Sequence, residues 1–207
     1  DKIANTKKLQ KKPQGVAAGH NGIFMGRDIT ERFESGDVYA KIANGTFEDL
    51  FIGDYFTKTI HDKVMKCRLA GFNIYKCGEF DYPNHAVIVP DEHFGECKMN
   101  STNTTEGGYK GSELYQNFIP QVNEWLTDAF GSTHLVTLKD YLTNAVDSTI
   151  QSPGYRGWNT ASSSYEQTDS IAELMTEIEV YGTRVWSSSG YDVGIGKTQL
   201  PLFSLSP

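Results

Sequence analysis

The sequence predicts an α+β domain with a small mixed or antiparallel sheet and two main helices, spanning residues 23–207 behind an extended basic arm, residues 1–22. Three observations carry this expectation. Between Leu50 and Val89, aromatic and β-branched residues come in short runs broken by Gly53, Gly71 and Pro90, which is how strands are punctuated. From Glu113 to Phe130, apolar residues recur at helical spacing. Hydrophobic residues make up 38% of the 207 and aromatics 12%, enough for a core, which excludes a wholly disordered chain.

Taken in order, residues 1–22 are Lys-rich and then small and Gly-rich, with no sustained period. Asp28 can cap a short helix through Phe33, and Ser35 or Asp37 can start another from Val38 to Asn44, which Gly45 stops. Leu50–Thr59 and Val64–Tyr75 read as strands, and Ala86–Val89 as a buried one ended by Pro90. Ser112 is the expected N-cap of the helix from Glu113 to Phe130, and Gly131 its stop. Leu114, Phe118, Ile119, Val122, Trp125 and Phe130 lie on its apolar face, and Pro120 in its interior predicts a kink or break. A second helix is expected after Thr137, with Leu138, Tyr141, Leu142 and Val146 inward. Residues 148–169 read as a long Ser-, Gly- and Tyr-rich loop, a length that is uncommon unless the loop binds something or moves. No internal repeat and no clean boundary after residue 23 is visible.

The net charge of −7 is unevenly spread. Five lysines in residues 1–12 stand against Asp1 alone, which leaves −11 for the rest. An acidic body disfavours broad nucleic-acid binding, because that affinity comes mostly from Lys and Arg. No apolar run approaches the roughly 18–20 residues that span a bilayer. The chain opens on Asp1 with no charged-then-apolar leader, as expected of a processed product or a fragment. Three cysteines, Cys67, Cys77 and Cys97, are an odd number, so reduced thiols are expected rather than a disulfide framework.

Motifs for chemistry are weak. Gly194-Ile-Gly196-Lys197-Thr198 resembles the end of a phosphate-binding loop, but Tyr191 stands where that loop needs its first Gly. His85, His93 and Cys97 lack the tight ligand pairs of a zinc site. No G-x-S-x-G elbow is present, and Glu177 and Glu179 are better explained as capping residues. No catalytic residue, metal ligand or cofactor is expected. The aromatics Tyr155, Trp158, Trp186 and Tyr191 remain; they lie near Gly and Ser, a composition typical of binding loops. Trp158 and Trp186 could equally anchor their loops to the core.

Two stretches carry a resemblance. Met99–Tyr115, with its Gly107-Gly108-Tyr109 and Gly111-Ser112, and the later Ala129-Phe130-Gly131-Ser132, resemble a domain of structural proteins from phages of Gram-positive, often gut-dwelling, hosts. Thr46–Phe56, His85–Asp91, Glu173–Gly182 and Gln199–Phe203 match the same domain, so the likeness covers about residues 23–203. Leu174-Met-Thr-Glu-Ile-Glu-Val-Tyr181 is also similar to a segment of C-type-lectin-like and formylglycine-generating-enzyme-like domains, with Met175 where those usually have Pro. The enzyme branch's catalytic cysteines find no counterpart here. Relatives continue past Gln199–Phe203 with a closing strand, whereas this chain stops at Pro207; a lectin-like fold without that strand would leave a sheet edge for a neighbour to cover.

The resemblance implies a non-enzymatic virion component on the particle exterior, made in the host bacterial cytoplasm. It would be a head decoration, head-fibre or tail receptor-binding domain. Its expected partners are capsid or tail proteins, further copies of itself and a host-surface glycan or protein, engaged through loops near 148–169 and 183–198. The alternatives are an enzyme on a related fold, oxidase-like or a cell-wall hydrolase, and a cement protein with no ligand.

Overall fold

The computed structural model describes residues 20–77, 81–104, 108–139, 141–143, 165–186 and 198–205. The fold is mixed α+β, built on a three-stranded antiparallel sheet. β1 (Tyr55–Ile60) and β2 (Lys63–Phe72) form a hairpin joined by His61 and Asp62, with Ile60 opposite Lys63 and Tyr55 opposite Arg68. β3 (Ala86–Pro90) pairs with the other side of β2, and a register shift falls between Leu69 and Gly71. Strand alternation turns Phe56, Ile60, Met65, Cys67 and Leu69 into the core. β3 is half-buried rather than buried. It is an edge: the Asp91 amide donates to Lys66 O and the His85 carbonyl accepts from Asn73, so by alternation Ala86, Ile88 and Pro90 turn their main-chain groups away from β2. Pro90, which has no N–H to donate, suits that side.

The segment before β1 is laid alongside it by parallel bridges, Phe24 with Ile52 and Asp28 with Tyr55. Gly53 is required here. Its φ is +79°, and a Cβ would come within 2.2 Å of the Phe24 ring. The turn His20–Gly22, at the end of the expected arm, is tied to the domain. Its Asn21 side chain donates to Phe72 O and accepts from the Phe72 amide. α1 (Thr30–Glu34) begins where Asp28 accepts from the Thr30 amide and hydroxyl. Its Phe33 stacks on Phe56, with ring centroids 3.6 Å apart. α2 (Asp37–Asn44) ends at left-handed Gly45, and Thr46 N–H closes on Lys41 O.

Ser112 caps the long helix as expected: its Oγ accepts from the Tyr115 amide. At Pro120, where a kink or break is expected, the helix does not break but is irregular just before the proline. Leu114–Phe118 form a π turn and α3 (Ile119–Phe130) follows directly, so Pro120 falls in the first turn of the regular helix. Pro120 has no N–H to give the preceding turn, and the wider π turn makes room for its ring.

Among the described residues, the second main helix expected after Thr137 is not formed. Leu138 exchanges both main-chain hydrogen bonds with Ser170, and Tyr141–Thr143 (β4) pair with Tyr165–Gln167 (β5). The amide and carbonyl of Lys139 are held by the Tyr82 hydroxyl. Backbone groups committed to a distant partner cannot close a helical turn, and tertiary pairing overrides the local period. The chain ends in two short helices, α4 (Glu177–Tyr181) and α5 (Pro201–Leu205). They are joined where Leu200 N–H donates to Glu179 O.

Candidate functional site: an aromatic surface on α4

α4 exists because of its first turn. Thr176 Oγ accepts from the Glu179 amide while the Glu179 carboxylate accepts from the Thr176 amide, a reciprocal capping box that helps five residues hold a helix. Left-handed Gly182 closes the other end. The side chain of Glu177, at the first helical position, reaches past that end. Its Oε2 and Oε1 accept the amides of Val185 and Trp186 at 3.2 and 2.9 Å. The chain leaving the helix is thereby held at Trp186, which is 74% exposed. Tyr181 meets it edge to face with ring centroids 5.3 Å apart. Leu174, Met175 and Val185, from the same segment, are about half exposed. The Tyr181–Trp186 contact makes one exposed apolar spot of this segment, and exposed apolar patches mark interaction surfaces.

Of the four predicted binding aromatics, Trp186 is the one the structure describes, and it is exposed rather than an anchor in the core. Tyr155, Trp158 and Tyr191 lie outside the described residues. Sequence reading missed Leu174, Met175, Tyr181 and Val185 as surface groups. The available signal was an apolar run on both sides of a capping box too short to bury it.

Beneath this surface is a buried polar cluster that sequence reading also missed. Glu179 is 3% exposed and accepts a 2.8 Å hydrogen bond from the Tyr75 hydroxyl, which comes from the 3-10 turn Ile74–Cys77 after β2. Tyr75 lies parallel to the ring of His85, and Tyr82 meets that ring edge-on. Burial holds the His85 imidazole below its ordinary value, opposed by the Pro83 carbonyl and reinforced by the Lys76 charge.

Among the described residues, the thiols and the histidines singled out for metal binding do not converge. Cys67 and Cys97 are free thiols. Burial, with the charge of Asp91, pushes the Cys67 thiol up to about 12. His85 is inside the cluster, whereas His93 and Cys97 are exposed. Among the described residues, no three His, Cys, Asp or Glu side chains gather closely enough to hold a metal ion. No helix among them is long and apolar enough to cross a membrane. Set against known proteins, the chain matches no family model, no curated protein and no solved structure.

Proposed function

We propose that the chain is a non-enzymatic recognition module that presents a fixed apolar surface centred on Trp186, as part of the exterior of a bacteriophage particle. The observation that carries the surface is the pair of hydrogen bonds that the Val185 and Trp186 amides donate to the Glu177 carboxylate. They fix the backbone that bears an exposed Trp186, whose ring meets Tyr181, and a preorganised aromatic contributes area at little entropic loss on binding. The phage origin and the C-type-lectin-like fold rest on the sequence resemblance described above; the small antiparallel sheet with a short capped helix is in keeping with it. Partners would be virion proteins, further copies of the chain, or a host-surface glycan or protein. No cofactor enters this reading.

Two measurements test it. Antibodies against the chain should label the outside of intact phage particles, and labelling of cell debris alone would contradict the virion assignment. Purified protein should bind envelopes of the host cells, and Trp186→Ala should weaken that binding at least about tenfold, as expected for loss of an aromatic anchor. A cement role is the second reading, and the edge position of β3 favours it. Protection of the Ala86 and Ile88 amides from exchange on assembly of the particle, with no envelope binding by the free chain, would select it.

A further inference from the structure

We propose that His85 is the pivot of an acid-sensitive latch that holds α4, and the Trp186 surface with it, against the end of the sheet. The latch is a feature of the fold; only its consequence for binding rests on the function proposed above.

Every polar group of His85 is engaged. Its amide donates to Asn73 Oδ1 at 2.9 Å and its carbonyl accepts from the Asn73 amide at 2.9 Å. Ring Nδ1 lies 2.9 Å from Pro83 O, a pure acceptor, so Nδ1 carries the proton. Nε2 must then be the bare nitrogen, and it accepts from the Tyr75 amide at 3.2 Å. That amide belongs to the first turn of a 3-10 helix and has no helical carbonyl to bond. The neutral ring is therefore the form that satisfies both neighbours. A second proton would set one N–H against another in a site only 6% exposed.

Tyr75 carries the consequence outward. Its hydroxyl holds Glu179, the residue that closes the capping box of α4. The adjacent Ile74 lies against Gly71 and near Pro201 of α5. If Nε2 is protonated, the Tyr75 turn must withdraw, and both short helices lose part of their seat. Among the described residues, the groups ranged around the ring are Tyr75 and Lys76 of the turn, Tyr82 and Asn84 of the loop before β3, and Asn73 at the end of β2. Lys76 adds a like charge, and the Glu179 carboxylate stands at the far end of Tyr75.

The sign follows from linkage. The closed latch keeps the imidazole below 6.5, the ordinary value, whereas an opened latch lets it return there. Opening therefore takes up a proton, and below about pH 6.5 the ratio of open to closed rises by up to roughly tenfold per pH unit until the closed form itself is protonated.

The test is amide exchange of the whole protein between pH 7.5 and 5.0, corrected for the intrinsic pH dependence of exchange. Protection over Glu177–Tyr181 and Pro201–Leu205 should fall by about tenfold while β1 and β2 keep theirs. His85→Gln, neutral throughout, should abolish the fall. Tyr75→Phe, which keeps the imidazole but cuts the link to Glu179, should leave α4 weakly protected already at pH 7.5 with no further fall. An equal loss in β1 and β2, a fall that persists in His85→Gln, or a fall over Glu177–Tyr181 that persists in Tyr75→Phe, overturns the latch. Envelope binding that weakens with pH alongside the exchange ties the latch to recognition. Exchange that behaves as expected while Trp186→Ala binds normally would remove the proposed function and leave the latch standing.

Discussion

Asp54 has no exposed side-chain surface, yet it is a carboxylate. It persists because Arg27 wraps it: the Arg27 amide, Nε and Nη2 all donate to it, and so does the Phe51 amide. Asp54→Ala would strand those donors and part of a cation, so it should lower unfolding free energy by about 3 kcal/mol in urea titration. A loss under about 1 kcal/mol would show that water replaces the carboxylate. The thiols divide by the same logic of burial. Cys97 should react with a thiol reagent in the native protein at neutral pH, while Cys67, protonated up to about pH 12 and enclosed by the sheet, should react only on unfolding. Site-resolved mass spectrometry distinguishes the two, and native labelling of Cys67 would place it on a flexible surface instead.

Short helices here stand on their caps and their contacts rather than on their length. Thr176→Ala removes the hydroxyl half of the capping box and should cost about 1 kcal/mol, read as earlier loss of α4 protection while β1 and β2 are unchanged. A variant as protected as the wild type would mean that the bonds to Tyr75 and Leu200 suffice. The elements whose signals are local were legible in the sequence. Gly45, Ser112 and the Thr176–Glu179 pair act at the positions their chemistry implies, and the β1–β2 hairpin lies within its aromatic and β-branched runs. Elements decided at long range were not. Leu138, Tyr141 and Leu142 have helical spacing, but Ser170 and the Tyr82 hydroxyl claim the backbone around them. Pro120 reads as a fault only while the turn before it is assumed to be an ordinary one. At the candidate site, Trp186 was visible as an aromatic near Ser and Gly. The contacts that fix it, Glu177 with two amides beyond Gly182 and Tyr75 with Glu179 at a separation of 104 residues, leave no mark in local pattern.

For the whole molecule, acid should act in two stages. His85, held below 6.5, contributes stability that is complete above that value and is lost as pH falls through the window beneath it. Asp28 and Asp37 are held below 3.8, the first chiefly by Thr30 and the second chiefly by Arg32, so their contribution is complete above 3.8 and lost only as pH falls further. Circular dichroism should therefore show a small near-ultraviolet change between about pH 6.5 and 5 and cooperative loss of the sheet below about pH 4. A single transition with one midpoint would contradict this division.

The central claim is that the molecule works through a fixed outer surface whose focus is Trp186. Its most direct test is a binding isotherm on isolated host envelopes for the intact protein and Trp186→Ala, with melting temperatures measured on the same samples. Equal melting is expected, because Trp186 is 74% exposed, with at least a roughly tenfold weaker isotherm for the variant. Equal isotherms from two equally folded proteins would contradict it.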